Sequence, residues 1–364
     1  MKKIKIILLA FILNITAQYT ANTQLTKIND NQYLKSNASQ GNLQALYDDY
    51  IDQGLSYFKD NQLNNAKFSF FKAQEIIPNK NEAYIDMAAV SMKRENYPTA
   101  IVILKKAENS GDSTKEDILF YNLGLCLQKM SKYDESREYY DKAVRTNPLF
   151  GEALFNRGML YLKNDEFDMA FIDIINAGIL FKKQGRKDTA GKSEEIISYL
   201  IEKCQRNEEV AEKLLEEGSK SFENGEHEKA IVFLNVSALC DPENKENYYR
   251  LGVMYVRAEN LEQAIRCFKK TVELDPADTK AYINLGGAYG KLKKHKEALD
   301  VLRKALELEK NNPKIYYNIA MVYLNIGNNK EAIHYLKKAK TLASDKENAQ
   351  LLEKINETSK LLKI

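Results

Sequence analysis

Small residues recur along this chain every 34 positions, and that spacing constrains the fold more than any other feature of the sequence. Gly54 and Ala88 are 34 apart, Gly124 and Gly158 are 34 apart, and Gly218, Gly252, Gly286 and Ala320 form a third series with the same step. Twelve residues after each stands Ala66, Ala100, Ser136, Ala170, Ala230, Ala264, Ala298 or Ala332. Four residues before each stands Tyr50, Tyr84, Phe120, Leu154, Leu214, Tyr248, Tyr282 or Tyr316. Pro78, Pro148, Pro242 and Pro276 follow their small residue by 24 positions. A fixed period of this length marks a repeat array, in which each unit is too small to enclose a core and must stack on its neighbours.

Each slot has a mechanical reason. Apolar residues inside a unit repeat at three and four, which is one face of a helix. The small residues let two antiparallel helices approach closely, where a larger side chain would push the backbones apart. The late proline cannot continue a second helix and stops it. Gly225 and Gly327 fall in the turn between helices, which suits a left-handed backbone. Pro98 falls where a second helix begins, a position that tolerates it. A coiled coil is excluded, because the period is not seven and a loop recurs in every unit.

The segment Tyr248, Leu251-Gly252, Tyr255, Ala264, Phe268, Thr271, Pro276 resembles the tetratricopeptide repeat (TPR) family, whose pattern is aromatic, Leu-Gly, Tyr, Ala, Phe, Ala and Pro. The resemblance covers the units 47–80, 81–114, 117–150, 151–184, 211–244, 245–278, 279–312 and 313–346. The second has Ala88 for Gly and no terminal Pro, and the fourth runs without Pro into Phe181-Lys182-Lys183. The resemblance implies an all-α, right-handed solenoid of antiparallel helix pairs. The domain reading is then a polar linker over 18–46, four units over 47–184, an inserted helix over 185–210, four units over 211–346 and a C-terminal capping helix over 347–364. The insert follows from the 60 residues between Gly158 and Gly218, with Ile196, Ile197, Leu200, Ile201 and Cys204 at amphipathic spacing. Leu351, Leu352 and Ile355 give the last helix one apolar side, as a cap needs.

Residues 1–17 read as a signal peptide: Lys2, Lys3 and Lys5, then an apolar run from Ile6 to Ile15, then a small residue at Ala17. The run is shorter than the roughly 20 apolar residues a membrane span needs. The chain is therefore expected to be exported, periplasmic or associated with the envelope. The leader, and the abundance of Lys, Asn and Ile, resemble exported proteins of the Bacteroidetes. Without residues 1–17, the 54 Lys and Arg of the full sequence fall by three to 51, equal to the 51 Asp and Glu. A neutral chain has no general electrostatic drive toward nucleic acid or anionic lipid.

No catalytic or metal-binding constellation is legible. The three histidines, His227, His295 and His334, have no partner at metal-ligand spacing. Gly286, Gly287 and Gly290 lie inside a first helix, not in a phosphate loop after a strand. The cysteines are Cys126, Cys204, Cys240 and Cys267. Cys240 and Cys267 are seven repeat slots out of step, roughly 10 Å of helix rise, beyond the reach of a disulfide. Buried thiols are the reading. No enzyme activity, cofactor, metal or small-molecule substrate is expected.

In this family the first helices line a concave groove. Its clamp for an acidic C-terminal tail is incomplete here: Asn284 and Lys314 match, while Tyr249, Val253 and Asn318 depart from it. Two residues before the small residue stand Asn122, Asn156, Asn284 and Asn318, and one residue earlier stand Tyr121, Phe155, Tyr249, Ile283 and Tyr317. These resemble the asparagine ladder with which some family members hold an extended peptide. The candidate peptide-binding set is Asn122, Asn156, Tyr121, Phe155, Tyr249, Asn284, Asn318, Tyr317, Lys280 and Lys314. Charge is uneven as well: residues 185–244 hold 8 basic and 14 acidic side chains, residues 279–346 hold 14 and 6. The expected function is a non-enzymatic scaffold that binds a protein or peptide in the groove. The alternative is an accessory subunit of a bacterial envelope or secretion assembly, docking through the convex face or the 185–210 insert.

Overall fold

The computed structural model describes residues 40–204, 206–343 and 349–362. The signal peptide expected over 1–17 lies outside them, as does the linker up to residue 39. Among the described residues there are helices and no strands. In chain order they are α1 (Gln40–Lys59), α2 (Leu63–Ile76), α3 (Asn81–Lys93), α4 (Tyr97–Glu108), α5 (Glu116–Lys129), α6 (Tyr133–Thr146), α7 (Gly151–Lys163), α8 (Phe167–Lys183) and α9 (Lys187–Lys203). Then follow α10 (Glu208–Glu223), α11 (His227–Cys240), α12 (Lys245–Arg257), α13 (Leu261–Leu274), α14 (Thr279–Lys291), α15 (His295–Leu308), α16 (Pro313–Asn325), α17 (Asn329–Leu342) and α18 (Ala349–Leu361). The last residues of the polar segment expected over 18–46 are helical from Gln40 onward, because Tyr47 and Ile51 bury against α2 and α3 and hold α1 in place.

The chain divides into two compact units, one ending at Ser198 and one beginning at Tyr199. Each is built of antiparallel helix pairs. In α5 and α6, Ser136 Oγ donates to the Gly124 carbonyl at 2.7 Å and Tyr140 Oη to Gln128 Oε1 at 2.6 Å, so residues on either side of one turn face each other. The turn itself repeats. Asn61, Glu95, Ser131, Asp165, Gly225, Glu259, Lys293 and Gly327 all have φ between 57° and 78°, and all occupy one repeat slot. Six of the eight are not glycine. The packing of each pair therefore holds a left-handed residue that an L side chain ordinarily avoids.

The prolines act one residue ahead of themselves. α2, α6, α11 and α13 each end two residues before Pro78, Pro148, Pro242 or Pro276. The intervening Ile77, Asn147, Asp241 and Asp275 have φ between −138° and −128° and ψ between 87° and 93°. Proline's ring disfavours a helical residue before it and suits this extended shape, which Glu309 at the end of α15 also takes, at φ −130° and ψ 85°, before Lys310. α8, which has no such proline, runs on to Lys183 and buries Phe181, whereas α15, also without one, ends at Leu308. Asparagine has a local job at the other ends. Asn96, Asn207, Asn244, Asn260, Asn312 and Asn328 each accept a backbone N–H of the helix that follows.

The small-residue slot is a contact point between the paired helices. A Cβ on Gly252 would lie 2.5 Å from Phe268, one on Gly286 2.5 Å from Leu302, and one on Gly124 2.8 Å from Tyr140. α9 buries Ile196, Leu200 and, just beyond its end, Cys204. At the C-terminus Ile355 of α18 is buried among Tyr316, Ala320, Leu336 and Ala339, with Leu351 and Leu352 alongside.

Candidate functional site

The first helices α1, α3, α5 and α7 of one unit, and α10, α12, α14 and α16 of the other, carry the candidate binding slots. The slot two residues before the small residue reads Asp52, Asp86, Asn122 and Asn156, then Glu216, Arg250, Asn284 and Asn318. Asn156 donates from Nδ2 to Tyr121 Oη at 3.3 Å and to Tyr140 Oη at 3.4 Å. In the other unit Asn284 Nδ2 donates to Tyr249 Oη at 3.2 Å. The bonds to Tyr121 and Tyr249 each join an Asn to a Tyr 35 residues earlier, on the preceding first helix, while Tyr140 belongs to the second helix α6. Asn318 meets Ile283 at the same spacing, and with no hydroxyl there its amide donates to the Ile283 carbonyl at 3.4 Å.

The two halves of the predicted ladder then part. Tyr121, Phe155 and Asn156 are only 3 %, 1 % and 2 % exposed. Tyr121 packs on Phe150 and Tyr140 with ring centroids 4.9 and 5.9 Å away, and Phe155 lies against Phe181 at 6.4 Å. Buried and tied to the Tyr121 and Tyr140 hydroxyls, the Asn156 amide is a core hydrogen-bonding group. The expectation that Tyr121, Phe155 and Asn156 present themselves to a peptide is corrected accordingly; Asn122 remains half-buried. In the second unit Tyr249, Asn284, Tyr317 and Asn318 are half-buried, and Lys280 and Lys314 are exposed. In the first unit the same slot keeps Asp52 exposed and Asp86 and Asn122 half-buried, so the two units differ in the chemistry they leave at the surface.

Gly287 lies between those ladder positions and is half-buried, and a Cβ built on it meets nothing within 4 Å. The three glycines of α14 thus differ: Gly286 makes room for Leu302, Gly290 approaches Val322, and Gly287 leaves open space on the helix surface. Burial raises the Tyr249 phenol and the Asn284 bond opposes that, so the hydroxyl remains protonated and can donate.

Two acids that the sequence reading passed over occupy the ladder slot of α1 and α3. Burial pushes the Asp86 carboxyl up to about 7, against the pull of Lys115 and with the push of Glu82. Asp52 is also raised, by burial and then by Asp48, Asp49 and Glu82. Their sharing the slot with the four asparagines was the available signal. The slot at the start of each first helix reverses sign along the chain, from Asp48 and Glu82 to Lys280 and Lys314. Among the described residues no group of three or more His, Cys, Asp or Glu side chains is placed to hold a metal ion. No described helix is long and apolar enough to cross a membrane.

Comparison with known proteins identifies the repeats. Residues 118–149 and 139–171 match models of the tetratricopeptide repeat, and residues 221–343 match the middle TPR-like domain of cilia and flagella-associated protein 70. These stretches of the chain carry tetratricopeptide-type repeats. Among solved structures, the chain is similar to the MamA protein at 18 % identity over 64 % of this chain and 94 % of that one, with a TM-score of 0.32. It is similar to YrrB, described as a TPR protein with an unusual peptide-binding site, at 18 % identity over 69 % and 97 %, TM-score 0.32. It is also similar to a chain of the APC/C hetero-tetramer Cut9–Hcn1 at 19 % identity over 87 % and 58 %, TM-score 0.35.

Proposed function

We propose that this chain is a non-enzymatic scaffold that binds a protein or peptide segment along the first-helix faces of α12, α14 and α16. One observation carries the reading. Asn284 and Asn318 each have one amide N–H tied to the preceding first helix, so the side chains are held in place before any ligand arrives. An asparagine amide has two N–H groups and an oxygen, so each retains capacity to pair with a peptide backbone. Preorganised groups bind without paying for their own ordering. Tyr249 and Tyr317 supply apolar contact with a polar tip. Lys280 and Lys314 favour an acidic segment. The leader residues support export, with action in the periplasm or at the envelope.

A second reading has its own support. Phe68 on α2 and Val102 on α4 occupy one repeat slot and are 60 % and 59 % exposed, with Phe71 beside Phe68 at 44 %. An accessory subunit of an envelope or secretion assembly would dock through such second-helix faces. Pull-down with Asn284→Ala/Asn318→Ala and with Tyr317→Ala separates the two. Each lost hydrogen bond should weaken a groove ligand by about 0.5–1.5 kcal/mol. Folded variants that keep every partner at wild-type affinity would move the docking surface off these helices.

A further inference from the structure

α9 and α11 end near each other, and a cysteine stands at each end. Cys204 follows directly on Lys203, the last residue of α9, and its N–H still donates to the Leu200 carbonyl at 2.9 Å. The chain then turns at once: Asn207 N donates to the Cys204 carbonyl at 3.0 Å, and Arg206 takes φ 64°. Within that turn Arg206 N donates to the carbonyl of Cys240 at 2.7 Å. Cys240 is the last residue of α11, so the bond satisfies a carbonyl that its own helix leaves open. It also fixes the backbone two residues beyond Cys204 directly against Cys240. Both side chains are 0 % exposed, and each lies within electrostatic range of the other. Cys126 lies in the other unit, and Cys267 is half-buried on α13, packed against the cluster that holds Ala230, Leu234, Ala238, Leu251 and Met254.

We propose that Cys204 and Cys240 are a matched dithiol pair, placed for oxidation to a disulfide that staples the end of α9 to the end of α11. The pairing is independent of what the first-helix faces bind. A donor disulfide, carried by a small molecule or by a thiol–disulfide oxidoreductase, supplies the oxidising equivalents. One cysteine thiolate attacks a donor sulfur, forming a mixed disulfide and expelling one donor thiolate. The second cysteine thiolate attacks the protein sulfur of that mixed disulfide, forming the Cys204–Cys240 bond and expelling the other donor thiolate. The two protein thiols lose two protons and two electrons, and the donor disulfide becomes two thiols.

Burial also sets when the bond forms. It pushes the Cys240 thiol up to about 12, with Cys204 adding to the rise, so the folded chain holds little thiolate there. Oxidation therefore belongs to the folding chain, whose thiols are exposed and ordinarily acidic. Once closed, the bond is shielded from reductants by the same burial.

The test uses the full chain, unfolded in guanidinium with reductant and refolded with glutathione and oxidised glutathione. Thiols are then titrated in denaturant, and an unreduced digest is read by mass spectrometry. The expected result is two thiols fewer than the four of the reduced chain, with one linked peptide pair containing Cys204 and Cys240. The linked chain should melt higher than the reduced chain by roughly 5–10 °C, because a loop of this size loses several kcal/mol of unfolded-state entropy. Already folded, reduced chain exposed to the same buffer for the same time should oxidise far more slowly. Cys204→Ser and Cys240→Ser should each abolish both the linked peptide and the oxidant-dependent rise in melting temperature. Four remaining thiols, glutathione adducts in place of the link, or a Cys240–Cys267 link would overturn the proposal.

Discussion

Replacing Phe268 by Ala should lower the unfolding free energy by about 3–5 kcal/mol, read as a fall in the urea midpoint. The ring is fully buried, lies directly over Gly252 and stands 6.1 Å from the Tyr249 ring. Its removal empties the contact at the centre of the α12–α13 pair. The same contact predicts an asymmetric pair of results. Gly252→Ala alone places a Cβ 2.5 Å from a ring atom that has nowhere to go, and overpacking of this kind costs about 1–3 kcal/mol. Two units of the chain already show a tolerated alternative: Ala88 sits 16 residues before the buried Leu104, and Ala320 stands the same distance before the buried Leu336. Gly252→Ala combined with Phe268→Leu should therefore recover most of what Gly252→Ala loses. Additive losses in the double variant would mean that the two side chains do not share one space.

Arg157→Ala should cost a similar amount for a different reason. Asp173 is 2 % exposed and receives Arg157 Nε on Oδ2 at 2.7 Å and Nη2 on Oδ1 at 2.8 Å, while Nη1 reaches Asp141 at 2.8 Å. Taking away the guanidinium strands a carboxylate inside the protein, a loss of about 3–5 kcal/mol. Its pH dependence has a definite sign. Burial raises the Asp173 carboxyl in the native chain, and Arg157 is what opposes that rise. Without Arg157 the native state keeps the proton to higher pH than the unfolded chain does. Between the two pKa values the native state binds more protons, so stability falls as pH rises above the ordinary carboxyl range. The defect should be smallest where the Asp173 carboxyl is protonated and grow as pH rises beyond the ordinary carboxyl range, and Arg157→Ala/Asp173→Asn should restore much of it. A defect that does not change with pH would place the loss in packing of the arginine stem instead.

The repeat slots made much of this legible beforehand. Residues 34 apart carry the same local task, so Gly252 predicts Gly286, and Pro148 predicts how α11 ends before Pro242. The left-handed turns at Gly225 and Gly327 were readable because glycine is the residue that adopts them freely. Their equivalents at Glu95 and Lys293 were not, because a non-glycine residue carries no such mark. The fate of the ladder was hidden for a related reason. A slot pattern states which side chains share a position, and it does not state how much neighbouring bulk closes over them. Asn156 and Asn284 are identical in sequence terms; Asn156 is buried and tied to both Tyr121 and Tyr140, while Asn284, bonded to Tyr249, is half-buried. Arg157 and Asp173 pair between the helices α7 and α8 at a position the repeat pattern leaves unspecified. Cys204 and Cys240 meet because the stretch between Gly158 and Gly218 breaks the period, and comparison of slots is blind across that break.

The claim that a partner lies on the first-helix face of the second unit is tested most directly by placing a photoreactive side chain on that face. Gly287 is the position for it, since a Cβ there meets nothing within 4 Å. Val102, exposed on a second helix, is the matched control. Both variants would be produced in the native cells and irradiated, and the adducts compared with partners that co-purify with the wild-type chain. The account predicts that a co-purifying partner is captured from position 287, that capture falls sharply when Asn284→Ala/Asn318→Ala is added, and that position 102 does not capture it. Capture of that partner from position 102, with none from position 287, would contradict it.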